Sequence, residues 1–139
     1  MRVVLDTNIF VSGLLSSVGP PARIIQAVLQ RRLVPVMSPA TFAELDTVVH
    51  RPKFQPAFAR AGVNLTNFLA TVRAEAQFVN PHPTNTPLRD EHDQLFLDLM
   101  ATTPPPHYFV TGDKDFDAPQ YSGVPVLSAA EFADLLTRT

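Results

Sequence analysis

Short runs of β-branched and aliphatic residues alternate along this chain with longer segments whose apolar positions recur every three or four residues. Arg2-Val3-Val4-Leu5-Asp6 is the first run and predicts a buried strand. Thr7 to Ser16 then predicts a helix, with Asp6 or Thr7 in the capping position. Pro20-Pro21 opens a second helix that reaches Arg31, with Ile24, Ile25, Val28 and Leu29 as one apolar stripe. Leu33 to Met37 is a second strand, in which Pro35 implies an edge position or irregular pairing. Ser38 as N-cap and Pro39 at the first helical position start a helix that runs to His50 and stops at Pro52. Residues 54–76 predict two helices broken near Gly62-Val63-Asn64, followed by a third strand at Gln77-Phe78-Val79.

Asn80 to Leu88 is a loop with three prolines. Asp90 caps a helix from Glu91 to Ala101, which Thr102 to Pro106 ends. His107 to Thr111 is a strand, Gly112-Asp113-Lys114-Asp115 a turn, and Val124 to Leu127 the last strand. Ser128 and Glu131 form a capping box that opens the final helix. Strands that alternate with helices predict an α/β fold: a parallel sheet with helices on both faces. A length of 139 residues fits one domain over 1–139.

That topology implies a site. In open α/β sheets, ligands bind beyond the carboxyl ends of the strands. Asp6 ends the first strand, and Asp113 sits just past the strand that ends at Thr111. Glu44 and Asp93 lie in early turns of helices. Four carboxylates from four segments are therefore expected on one rim. Asp93 shares a helical face with Phe96, Leu97 and Met100, so it is expected to point inward, whereas Asp98 lies off that stripe and is expected at the surface.

Composition narrows the chemistry. The formal net charge is −2, so a broadly basic nucleic-acid footprint is excluded, and phosphate binding must be local or carried by a cation. The absence of cysteine excludes a disulfide scaffold, a Cys-based zinc site and a thiol nucleophile, and it fits a reducing cytoplasm. No apolar stretch reaches the ~18–20 residues of a membrane helix. Clustered carboxylates repel by several kcal/mol per pair at ~4–5 Å and an effective dielectric of ~20. They must take up protons or bind a dication, and hard oxygen ligands select Mg²⁺ or Mn²⁺ over zinc. Each acid also has a plainer reading. Asp6 would serve as a helix cap, and Asp113 and Asp115 as turn formers. Arg51 and Lys53, at a helix end, would simply complement the helix dipole.

Asp6-Thr7-Asn8 after the first strand, Glu44 on the third helix, Asp93 within Arg89-Asp90-Glu91-His92-Asp93, and Val110-Thr111-Gly112-Asp113-Lys114-Asp115-Phe116 together resemble the PIN-domain pattern. The stretch from Glu44 through Arg51-Pro52-Lys53-Phe54 is similar to the VapC-like toxin components of toxin–antitoxin systems. The resemblance implies a three-layer domain with a central parallel sheet of four to five strands. It implies an Mg²⁺- or Mn²⁺-dependent hydrolase that cleaves single-stranded RNA. Asp6, Glu44, Asp93 and Asp113 would be the catalytic, metal-ligating acids, with Asp115 as an accessory ligand. Asn8 and Thr111 would orient water or ligands, and Arg51, Lys53 and Lys114 would face substrate. Its implied partners are single-stranded RNA, a cognate antitoxin protein and a second copy of the chain, with no membrane. The chain departs from the pattern at Thr102 to Pro106, where an Ala/Gly-rich link is usual; that link is expected on the face away from the acids. A haloacid-dehalogenase-like phosphatase would need an acid at position 8, where Asn stands, and no glycine-rich phosphate loop is present. A non-catalytic PIN-fold binding module is the other alternative.

Overall fold

The computed structural model describes residues 1–82 and 91–138. The elements are β1 (Arg2–Leu5), α1 (Thr7–Leu15), α2 (Pro20–Leu29), β2 (Val34–Met37), α3 (Pro39–Val49), a 3-10 turn (Pro52–Phe54), α4 (Gln55–Arg60), α5 (Leu65–Glu75), β3 (Gln77–Phe78), α6 (Glu91–Met100), β4 (Tyr108–Val110), β5 (Gln120–Tyr121), β6 (Val124–Leu127) and α7 (Ala129–Thr137). The expected cap at Asp90, Arg89 and the loop from 83 to 88 lie outside the described residues.

The sheet order is β3-β2-β1-β4-β6-β5. Five strands run parallel, as expected from the alternation of strands and helices. The sixth, β5, is a two-residue antiparallel edge strand joined to β6. It is too short to show periodicity in the sequence. Its turn, Ser122-Gly123, takes φ of 51° and 80°, the doubly positive pattern of a type I′ hairpin.

Side chains alternate across the strands and split the core in two. Val3 and Leu5 face one layer, where Ile9, Ile24, Leu45, Phe58, Phe68 and Phe132 bring in six helices. Val4, Val36 and Phe109 face the other, against α6 through Phe96, Leu97, Leu99 and Met100. Two sequence expectations change and a third is narrowed. Of the two arrangements expected for Pro35, an edge position fails, because β2 is interior, and irregular pairing holds. The Val34 N–H bonds the Met1 carbonyl on the β1 side, so the N–H that Pro35 lacks faces β3, and β3 covers only Val36 and Met37. Leu29, counted in the apolar stripe, is 45% exposed although Ala27 and Val28 beside it are buried, because it is the last residue of α2 and stands at the margin of the stripe. Asp98 is buried, because α6 is packed on more than one side and the Gln94 amide, one turn earlier, bonds its carboxylate.

Side chains define the starts of three helices. Ser38 and Thr41 form a capping box for α3, and Asn64 Oδ1 accepts the Asn67 N–H at 3.0 Å to start α5. In α7, the Ser128 N–H bonds Glu131 Oε1 at 2.9 Å while Ser128 Oγ accepts the Glu131 N–H at 3.1 Å. The backbone N–H and then the hydroxyl of Ser128 hold the Glu131 carboxyl below its ordinary pKa. At the amino ends of β1 and β4, the Arg2 guanidinium donates to the carbonyls of Pro104 and Pro105. The proline-rich link thus sits at the opposite end of the sheet from Asp6, as expected.

Helix α2 ends in a Schellman turn. Arg32 N–H bonds the Ala27 carbonyl at 2.8 Å and Arg31 N–H bonds Val28 at 3.0 Å, with Arg31 at φ 62° where glycine is usual. At the other end of α2, Gly13 of α1 lies so close that a Cβ would stand 2.4 Å from Ile25 Cγ1 and 2.9 Å from the Pro21 carbonyl oxygen.

Substitutions at these two places should act in opposite directions. Gly13→Ala overpacks the α1–α2 contact and is expected to destabilise by about 1–3 kcal/mol. Arg31→Gly relieves a left-handed residue and is expected to stabilise by up to about 1 kcal/mol, offset in part by loss of the exposed Arg31–Glu75 pair. Denaturant midpoints of the two variants check the signs. Glu131→Gln removes a stabilisation that is present above the ordinary carboxyl pKa and is lost as pH falls through the lowered one. The difference in Tm between parent and variant should therefore close on acidification, measured by thermal melts across the acid range.

Candidate metal centre and nucleic-acid rim

The parallel pairing of β1 with β4 sets Leu5 opposite Val110, and the ladder continues as the Asp6 N–H bonds the Val110 carbonyl at 3.0 Å. The next residue on each strand is therefore polar and adjacent. Thr111 Oγ1 donates to Asp6 Oδ2 at 2.7 Å and accepts the Asp113 N–H at 3.0 Å. Asp6 is only 1% exposed. It stands at the N-cap position of α1, as expected, but makes no side-chain cap bond there, so capping does not account for its carboxylate.

Thr7, the next residue, turns to α3 and donates through Oγ1 to Glu44 Oε1 at 2.8 Å. Glu44 is half-buried. Asp93 is 4% exposed and shares its face of α6 with buried Phe96, Leu97 and Met100, which is the inward direction the helical spacing predicts. Asp93, Asp113 and Asp115 each offer a carboxylate oxygen within 4.8 Å of the others. Among the described residues, no group that tight includes Asp6 or Glu44. Asp6 is linked to the tight group through Thr111, which bonds both the Asp6 carboxylate and the Asp113 N–H, and Glu44 is bonded by Thr7, the residue after Asp6.

The turn reading of Asp113 holds beside the site reading. Its Oδ1 accepts the Asp115 N–H at 2.9 Å, and its carbonyl accepts the Phe116 N–H at 3.1 Å. Phe116 anchors the turn. Its ring meets Phe109 edge-on at 4.9 Å between centroids and Phe96 at 6.3 Å. Since Phe96 is one turn after Asp93, this aromatic contact positions the two acidic segments relative to each other.

Asn8 is exposed at the junction of two clefts. One, of about 360 Å³, is shared with Thr7, Glu44, Val48 and Arg51. The other, of about 630 Å³, is shared with Ser12, Pro21, Asp113, Lys114 and Ala129. Arg51 and Lys114 therefore flank Asn8 from opposite sides. Lys53 is not among the residues that line either cleft; its ammonium stands 5.0 Å from the Phe54 ring centroid.

The donor set fits a hard divalent cation. It consists of carboxylate oxygens, the chain has no cysteine, and the tight group carries no histidine. Three contributors had no separate signal in the sequence. Thr7 reads as a capping residue, Phe116 as one more aromatic in a turn, and Ser12 as an ordinary polar position on α1. The pairing of Thr111 with Asp6 would have needed the β1–β4 register, which only the folded sheet supplies.

Among the described residues, no helix is long and apolar enough to cross a membrane. No solved structure matches the chain. A protein of Methanocaldococcus jannaschii that carries the name uncharacterized protein MJ1680 is 26% identical over 115 residues, which span 83% of this chain and 72% of that one. The PIN domain pattern matches residues 2–115, from the first residue of β1 to the last acid of the tight group. PIN domains are commonly metal-dependent nucleases. With β1 to β4, the five acids and their threonine partners inside the matched span, the chain belongs to the PIN domain family.

Proposed function

We propose that this chain is an Mg²⁺- or Mn²⁺-dependent endoribonuclease that hydrolyses phosphodiester bonds of single-stranded RNA. The observation that carries the reading is the meeting of Asp93, Asp113 and Asp115 within 4.8 Å, joined to buried Asp6 through Thr111. In this reading Asp6, Glu44, Asp93 and Asp113 hold the cation, with Asp115 as a further ligand. The bound cation supplies activation of water and compensation of charge at the phosphate. The chain's own residues do the rest. Thr111 fixes the Asp6 carboxylate and, through the Asp113 N–H, the turn that carries the opposing acids. Thr7 fixes Glu44. Asn8 presents its amide at the rim, and Arg51 and Lys114 hold phosphates on either side of it. Water attacks phosphorus in line, the bond to the leaving ester oxygen breaks, and that oxygen takes a proton.

The likeness of the Glu44 to Phe54 stretch to VapC-like proteins supports a narrower role. In it a single domain over residues 1–139 acts in the cytoplasm as the toxin of a toxin–antitoxin pair, neutralised by a cognate antitoxin and able to form a homodimer. Induced expression in a bacterial host should then arrest growth, and Asp93→Asn should not; equal growth with both would remove the toxin role.

Cleavage of a single-stranded RNA oligonucleotide in Mg²⁺ or Mn²⁺ tests the activity. Asp6→Asn and Asp93→Asn should each lose at least ~100-fold, since loss of a ligand exceeds the roughly 10–100-fold cost of losing its hydrogen-bond partner. Thr111→Val keeps every ligand and should weaken Mn²⁺ binding by roughly 10–100-fold in calorimetric titration. Cleavage that persists in EDTA, or acid variants that cut as fast as the parent, would defeat the nuclease reading. Failure to bind either cation would leave a non-catalytic binding module.

A further inference from the structure

The described cations divide by what they touch. Arg2 holds two carbonyls, Arg31 pairs with Glu75, Arg73 stacks on Phe42, Lys53 stands over Phe54 and Arg138 pairs with Asp134. Arg23, Arg32, Arg51, Arg60 and Lys114 have no such partner among the described residues; Arg51 and Lys114 line the clefts beside Asn8, and Arg23 and Arg32 share a cleft of their own. That cleft, of about 270 Å³, lies between α2 and α7 and is lined also by Gln26, Gln30 and Thr137. Every polar side chain of that cleft can donate a hydrogen bond, and none of its lining residues is acidic. Two guanidinium groups on one small cleft repel each other, and an anion between them removes that cost and gains charge-assisted hydrogen bonds.

The backbone supports the arrangement at a cost. Arg32 reaches this cleft because the Schellman turn folds the chain back over the end of α2, with Arg31 in the left-handed region. Strain of this kind, about 1–2 kcal/mol for a non-glycine residue, is commonly retained where it positions a functional group.

The cleft also has a place relative to the rim. Pro21 and Ala129, at the amino ends of α2 and α7, line the larger cleft beside Asn8 and Lys114. Gln26, Gln30 and Thr137, farther along the same two helices, line the basic one. Five to nine residues of α2 separate them, or roughly 7–14 Å at 1.5 Å per residue. One seam between two helices therefore links the acidic rim to a basic pocket.

We propose that the α2–α7 cleft is a phosphate-binding site that holds the backbone of the RNA strand beyond the bond being cut, with Arg23 and Arg32 as its charged ligands. This rests on the reading of the rim as an RNA site. The chemistry recognised is a phosphate dioxygen edge, so free phosphate is the other source.

Binding in EDTA separates the two without any cleavage. Fluorescence anisotropy is read with single-stranded RNA of about 12 nucleotides, within the range tracked by known single-strand grooves, and with a trinucleotide. For the Arg23→Gln/Arg32→Gln double variant, the long RNA should bind at least tenfold more weakly. Its slope of log K against log salt should fall by roughly 0.7 for each phosphate that the two guanidinium groups neutralise in the parent. The trinucleotide, too short to span both clefts, should bind the parent much more weakly than the long RNA does. Gln26→Glu, which puts an acid in the cleft, should weaken long RNA likewise, and Arg60→Gln on α4 should not. Thermal melts confirm that the exposed substitutions leave the fold intact. Unchanged affinity and slope for long RNA would overturn the proposal. If inorganic phosphate binding, read by calorimetry, is then still abolished in the double variant, the cleft serves a free phosphate. If the RNA pattern holds while the parent cuts no RNA, the track stands and the nuclease reading fails.

Discussion

A threonine hydroxyl between two strands organises the acidic end of this molecule. Thr111 Oγ1 donates to the Asp6 carboxylate and accepts the Asp113 N–H, so one side chain at the end of β4 connects the end of β1 to the acidic turn. The contact depends on the parallel register that sets Leu5 against Val110, because a slip of one residue would turn Asp6 to the other face of the sheet. It depends equally on burial. A carboxylate 1% exposed is tolerated only where hydrogen bonds and charge compensate it, and the threonine supplies part of that compensation. Like carboxylates about 4–5 Å apart still repel by roughly 3–4 kcal/mol at an effective dielectric of ~20, which a divalent cation reverses. A site that is electrostatically uncomfortable when empty is held together here by packing, with Phe96 and Phe109 stacked and Phe116 edge-on to both.

Much of this arrangement was legible in the amino-acid order, for a physical reason. Asp6 and Asp113 stand at strand ends, and Asp93 stands at an apolar phase of a helix. Strand ends and helix faces are what local patterns report best. The α/β fold followed from the same patterns, because a strand-helix alternation leaves few topologies open. What escaped depends on partners remote in sequence. Pro35 is read as an edge residue or one with irregular pairing because proline lacks a donor, and only the length of β3, which leaves that position without a neighbour to satisfy, decides for the second. Asp98 is read as surface because it lies off the main stripe, but α6 is enclosed more widely than a single stripe. Lys53 falls close to Arg51 in sequence but its ammonium rests over Phe54, because the 3-10 turn at Pro52–Phe54 redirects the chain.

The two ends of the sheet carry different burdens. At the carboxyl ends the polar groups are acids, threonines and an exposed Asn8, arranged around open clefts. At the amino ends, Arg2 is absorbed by the carbonyls of Pro104 and Pro105 and by Gln77. The proline-rich link is thereby part of the packing, remote from the chemistry. Gly13 belongs to neither end. It lets α1 and α2 approach closely and so sets where Pro21, and the cleft it lines, stand relative to Asn8.

A chain with a formal net charge of −2 faces a physical difficulty in binding a polyanion at a rim of carboxylates. Counterion release is driven by cations that contact phosphates, and an acidic surface at the point of reaction opposes it. The fold resolves this by separating the charges in space. The acids are gathered at one point, where a dication would invert their sign. Lys114 and Arg51 sit on either side of that point, and Arg23 and Arg32 lie farther down the α2–α7 seam. In the proposed function, affinity would come mainly from the flanking cations, with the acids reserved for the reacting bond. Net charge is thus a poor guide to polyanion binding in this fold: what matters is the order in which positive and negative groups meet a strand laid along the surface.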